Sequence, residues 1–165
     1  MKKFAFLAVV LAVVLALPAV TAAQAKPDFS GKWIQDMEKS DPAGGPGGGG
    51  GGRGPAGPQN LTITQTAAEL TIERETPNGA MKTVYKLDGT ESDNSTGRGT
   101  SKTKSAWEGT TLVTAGAQTM NMQGNEVTIE MKEVRSIDAD GTMVVVTTTK
   151  SQMGERTRKV VFKKA

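Results

Sequence analysis

Arg156 and Arg158 have the clearest chemical use in this chain, because both share a strand face with Val160 and Phe162 near its end. With Phe162 turned into a core, at least one guanidinium points into the same interior unless a bulge intervenes. A buried guanidinium requires a carboxylate, a stacked ring or a bound anion. Two uses follow: lying across an aromatic ring to close the core, or gripping the acidic group of a ligand. Tyr85 and Trp107 offer apolar rings with a polar handle and join Arg156 and Arg158 as candidate ligand-binding residues; both also suit core or girdle positions. No residue stands out as catalytic. The chain has no His and no Cys, which removes the usual general base near neutral pH, the thiol nucleophile and the commonest transition-metal ligands. A two-carboxylate glycosidase or an oxygen-ligand Ca²⁺ site has no supporting motif. The expectation is a non-enzyme without metal site or cofactor.

Softer signals surround these residues. Met81, Met120, Met122, Met131 and Met143 could line a pliable pocket, since unbranched thioethers adapt to irregular guests, or could simply fill a core. Arg98, Lys102 and Lys104 form a basic strip that suits either an anionic partner or a solvated strand face.

The elements that must position these groups begin after an export signal. Lys2 and Lys3 precede the apolar run Phe4 to Leu17, Pro18 breaks it, and Ala23-Gln24-Ala25 is a small-x-small cleavage site. Residues 1–25 therefore read as a signal peptide and 26–165 as one domain, exported to the periplasm or the extracellular space. The apolar run is shorter than the roughly 20 residues that cross a bilayer, so the mature protein is not expected to span one. The formal charge is +3, but two of the 20 basic residues lie in the leader, so 18 face 17 acids in the mature chain. Charges of mixed sign and scarce aromatics argue against a nucleic-acid partner. Without cysteine, stability must come from the core and strand pairing. Oligomeric state leaves no signature.

Half of the twenty glycines fall between Asp41 and Pro58. Glycine has the largest ordering entropy and the four prolines there remove donors, so residues 41–58 read as a flexible Gly/Pro loop spanning roughly 20–25 Å. A phosphate-binding loop would need Gly-Lys-Ser/Thr and a following helix, and neither is present.

From Asn60 onward, runs rich in Thr, Val, Ile and Met alternate with turns. Strands are expected near Lys32–Glu38, Leu61–Thr66, Glu69–Glu75, Met81–Leu87, Thr100–Trp107, Thr110–Thr114, Thr119–Met122, Val127–Ile137, Thr142–Lys150 and Arg156–Lys163. Connections such as Asp88-Gly89 and Glu108-Gly109 are too short for parallel crossovers, so the strands form an antiparallel meander. Val127, Ile129 and Met131 share one face while Thr128, Glu130 and Lys132 share the other. One-faced strands with no covering helix must close on themselves or stack. An outer-membrane barrel would need an outward apolar band and aromatic girdles that this sequence lacks. The predicted fold is an all-β, antiparallel up-and-down barrel of about 8–10 strands, with the Gly/Pro loop after the first.

Three stretches carry a family resemblance. Gly31-Lys32-Trp33 looks like a Gly-x-Trp first strand, Lys104-Ser105-Ala106-Trp107-Glu108-Gly109 like a mid-barrel strand and turn, and Arg156 to Ala165 like a closing strand. In these the chain resembles the calycin barrels, the lipocalins and fatty-acid-binding proteins, and closely the exported bacterial proteins called lipocalin-like. The resemblance implies that Gly31 and Trp33 close one barrel end and that Arg156 or Arg158 lies across the indole. It also implies a small hydrophobic ligand. Fatty-acid binders place Arg two residues before a Tyr, whereas here Arg158 stands four before Phe162, and the Gly/Pro loop replaces their helical cover. The functional expectation is an exported, non-enzymatic barrel binding a small apolar or amphiphilic molecule. The alternative is a structural or interaction module with a solid core.

Overall fold

β-Branched residues alternating with Thr, Lys and Glu build ten strands, and their one-sided apolar faces leave a curled sheet as the only way to exclude water. The computed structural model describes residues 25–42, 58–76, 79–96, 99–122, 125–152 and 154–165. Residues 1–24 (nearly all of the expected signal peptide), most of the Gly/Pro loop and Arg98 lie outside the described residues. The strands are β1 (Gly31–Asp36), β2 (Asn60–Gln65), β3 (Glu69–Thr76), β4 (Gly79–Lys86), β5 (Glu91–Asp93), β6 (Gly99–Glu108), β7 (Thr111–Met122), β8 (Asn125–Ile137), β9 (Met143–Ser151) and β10 (Gly154–Lys164). Among the described residues there is no helix.

All ladders are antiparallel, and the sheet order is β4-β3-β2-β1-β10-β9-β8-β7-β6-β5. Every ladder joins strands adjacent in sequence except β1–β10, which joins the two halves through Trp33 opposite Lys164 and Gln35 opposite Phe162. The barrel is nearly closed. At its seam, β4 and β5 share no ladder; side chains do the joining. Val84 N–H donates to Asn94 Oδ1 at 2.9 Å, Asn94 Nδ2 donates to the Val84 carbonyl at 2.8 Å, and Lys86 N–H donates to Ser92 Oγ at 2.8 Å.

The structure departs from the sequence expectation at two elements. The two short strands expected at Thr110–Thr114 and Thr119–Met122 are one strand, β7, running through Gly116. A Cβ at Gly116 would sit 2.1 Å from the Lys102 carbonyl oxygen, so glycine is present for close backbone approach between β6 and β7, not as a breaker. The three-residue β5 has no alternating pattern to betray it, and it pairs with β6 at Glu91–Lys104 through Asp93–Lys102.

The core gathers at one end. Trp33, Leu61, Ile63, Leu70, Ile72, Leu112, Met143, Val145, Val160 and Phe162 are buried together with Phe29 and Leu87. Phe29 comes from the segment ahead of β1, which crosses the barrel end. Its backbone N–H donates to Gln65 Oε1 at 3.0 Å, and the Gln65 amide nitrogen donates to the Pro27 carbonyl at 3.1 Å. The buried Trp33 indole N–H donates to the Phe29 carbonyl at 2.8 Å, which satisfies its polar atom inside the core.

Candidate functional site

Strand register divides the interior into rows. Trp107, Leu112, Arg135, Val145 and Val160 lie opposite one another across β6 to β10, next to the apolar end. The next row is Ser105, Thr114, Glu133, Thr147 and Arg158. Beyond it come Thr103, Gly116, Met131, Thr149 and Arg156. The barrel therefore changes from apolar to polar along its axis, and charge first enters at Arg135.

Arg135 is 4% exposed and anchored on three sides. Its Nη2 donates to Glu133 Oε1 in an ion pair, its Nη1 lies 3.9 Å from the Met143 sulfur, and its guanidinium stands 5.9 Å from the Phe29 ring centroid. Arg74 enters from the opposite wall, on the face that carries Leu70 and Ile72. Burial pulls its guanidinium below its usual basicity, Tyr85 and Glu133 oppose that shift, and the cations Arg135 and Arg158 add to it. These groups therefore share one electrostatic neighbourhood. Burial pushes the Tyr85 phenol up to about 12, with Glu133 adding to the rise, so its hydroxyl keeps its proton and remains a donor. The Nε atoms of Arg74, Arg135 and Arg158 and the Thr103 hydroxyl are buried without a hydrogen-bond partner.

Arg158 and Tyr85, both singled out in the sequence, each act electrostatically on Arg74. Arg156 faces the same way one row further out and is exposed. Trp107 faces inward at the apolar end, stacked on Phe29 with ring centroids 5.8 Å apart and planes 4° from parallel, while the Lys26 ammonium stands 5.5 Å from its centroid. The cation over Trp33 is neither Arg156 nor Arg158 but Lys164, 5.4 Å from the ring. The register explains the correction: Lys164 is directly opposite Trp33 on β10, and Arg158 sits six residues away along the strand. Gly31 has φ 130°, a backbone conformation that favours glycine, and a Cβ there would meet the Lys164 stem only in ordinary contact at 3.8 Å.

Arg74, Glu133 and Arg135 are the members the sequence reading missed. The signal was present, because the inward parity of Val127, Ile129 and Met131 continues to Glu133 and Arg135, and that of Leu70 and Ile72 continues to Arg74.

The remaining candidates separate. Met143 is fully buried core and Met81 is 46% exposed, so the methionines do not form one lining. Lys102 pairs with Glu91 at 3.2 Å on the solvated face. A groove of about 320 Å³ opens at β1 to β4, with outward-facing Lys32, Thr62 and Glu73 on its wall alongside Arg74 and Trp33. The outward residues place it on the outer side of the sheet, not in the space shared by the guanidiniums.

No protein-family model matches the sequence, and no curated protein does. Solved structures do match. The zebrafish ileal bile acid-binding protein, complexed with cholic acid, is 20% identical, with 83% of this chain and 98% of that chain covered at a TM-score of 0.58. The REP1-NXSQ fatty acid transporter is 16% identical, over 82% of this chain and 95% of that one, at 0.54. A point mutant of the fluorescent protein UnaG is 22% identical, over 83% and 96%, at 0.51. This chain has the fold of these small, nearly closed β-barrels. Identities this low establish the architecture alone.

Proposed function

We propose that this protein is an exported, non-enzymatic barrel that binds a small amphiphilic molecule, with the apolar body in the barrel and an acidic group against Arg158, Arg74 and Tyr85. The observation that carries the reading is the set of three inward guanidiniums served by a single paired carboxylate, with buried donors left without acceptors. Buried donors without partners are costly, and an anion supplies what the protein side chains do not. The solved structures with this fold include proteins whose names state bile-acid binding and fatty-acid transport, which agrees with a ligand-binding use of the barrel. Export rests on the leader sequence, and the absence of His and Cys favours binding over catalysis.

Native mass spectrometry of protein purified without denaturation from an exporting host tests the proposal. A reproducible extra mass, released by organic extraction and reduced in occupancy by Arg158→Met, is expected. A clean apo mass with no shift on adding either dodecanoate or dodecyl phosphate would overturn it and favour a solid structural barrel.

A further inference from the structure

Arg74, Glu133 and Arg135 act on the Tyr85 hydroxyl and Arg158 acts on Arg74, and strand register turns Glu133, Arg135 and Arg158 toward the same interior. Glu133 is committed to Arg135. Arg74 and Arg158 have no carboxylate within ion-pair distance among the described residues, and the Nε of each is buried without an acceptor. Three guanidiniums and one carboxylate leave two positive charges uncompensated. A ligand with a single carboxylate would neutralise one and leave the other without a counter-charge and with a buried Nε still unpartnered, which is unfavourable. We infer that the ligand presents two negative charges close together to Arg74 and Arg158, as a phosphate monoester or a pair of carboxylates at one end of an apolar body. This rests on the ligand-binding reading above and specifies the chemistry of its polar end. The protonated Tyr85 hydroxyl supplies a neutral donor to the same group, and Glu133 keeps Arg135 from demanding a third charge.

The test is calorimetric titration of the full chain with four probes of equal chain length below their micellar concentrations: dodecyl phosphate, dodecylmalonate, dodecyl sulfate and dodecanoate. At pH 8 at least one doubly charged probe is expected to bind about tenfold or more tightly than both singly charged ones, the loss of one ion pair being worth that much or more. Tight phosphate with weak malonate assigns a phosphate ester, the reverse assigns a dicarboxylate, and both support two charges. Between pH 8 and pH 5 dodecyl phosphate should lose about tenfold as its head group takes up a proton near pH 6. The groups facing the site are Arg74 from β3, Tyr85 from β4, Glu133 and Arg135 from β8, and Arg158 with Arg156 at the rim from β10. Dodecyl sulfate, which has no proton to gain in that range, reports any titration of the protein itself. Arg74→Met should bring dodecyl phosphate down to the affinity of dodecyl sulfate, and the probe comparison on the unaltered chain stands even if that variant misfolds. Equal affinity for all four probes would overturn the two-charge inference and leave the ligand-binding reading intact. No binding of any probe would overturn both.

Discussion

Glu133→Gln gives the sharpest test of how the interior charge is balanced. The pair it breaks is well buried, with the Arg135 and Glu133 side chains 5% and 16% exposed. Removing one partner of a buried pair costs about 3–5 kcal/mol, because the remaining charge is left uncompensated. Glutamine keeps an acceptor oxygen for Arg135 Nη2, and the Phe29 ring still faces the guanidinium, so the expected loss lies at the low end, about 3 kcal/mol. For a domain of this size that corresponds to a Tm lowered by about 10 °C. Calorimetry of the apo protein measures it. Dodecyl phosphate should then restore more Tm in the variant than in the parent, because the site has gained a positive charge that only an anion can answer. The double variant Glu133→Met with Arg135→Met should recover most of the stability, since apolar replacement of a buried pair is neutral or favourable by about 1–4 kcal/mol. An E133Q variant melting within about 2 °C of the parent, or a double variant no better than the single, would refute the claim that Glu133 compensates Arg135.

Three further outcomes follow from the geometry. Asn94→Ala removes the two bonds that tie Val84 across the β4–β5 seam; the expected cost is about 1–3 kcal/mol, with amide exchange at Val84 accelerated ahead of the β2–β3 ladder. Gly116→Ala forces a methyl onto the Lys102 carbonyl and should cost about 1–3 kcal/mol or more by urea unfolding; an unchanged midpoint would show that β6 and β7 do not approach as closely as described. Tyr85 is the only tyrosine in the chain, so tyrosinate absorbance reports it alone. Its folded pKa of about 12 stands above the ordinary 10.0, so its contribution is fully present below pH 10 and is lost as pH rises through 12. The tyrosinate signal should appear near 12 in the folded protein, and a midpoint at 10 with the fold intact would contradict its burial.

Alternation in sequence made the barrel legible, because each strand that buries one face must declare it every second residue. Val127 to Met131, Leu61 with Ile63, and Leu70 with Ile72 all face as their parity requires. Three things were not legible. β5 has three residues, all paired with β6, so no period exists to read. Gly116 looked like punctuation because a sequence does not reveal which backbone will press against it. The cation over Trp33 depended on register: Arg156, Arg158 and Lys164 share a face, and only the β1–β10 pairing selects Lys164. The polar cluster was legible in half. Parity exposed Arg158, and extending the same rule to the far ends of β3 and β8 would have added Arg74, Glu133 and Arg135. That Glu133 would turn to Arg135, two residues along its own strand, needed coordinates.

Because β1 and β10 pair while β4 and β5 meet only through side chains, spatial order and chain order disagree at a single place among the described residues. A circular permutant joined from β10 to β1 and opened between β4 and β5 would make the two orders identical, running from β5 through β10 and then β1 to β4. Every hydrogen-bonded strand pair would then be local, and a domain freed of its most distant pairing should fold faster at little change in its contacts. The seam is thus where this barrel can be cut and re-joined, with its interior charges left on uninterrupted strands.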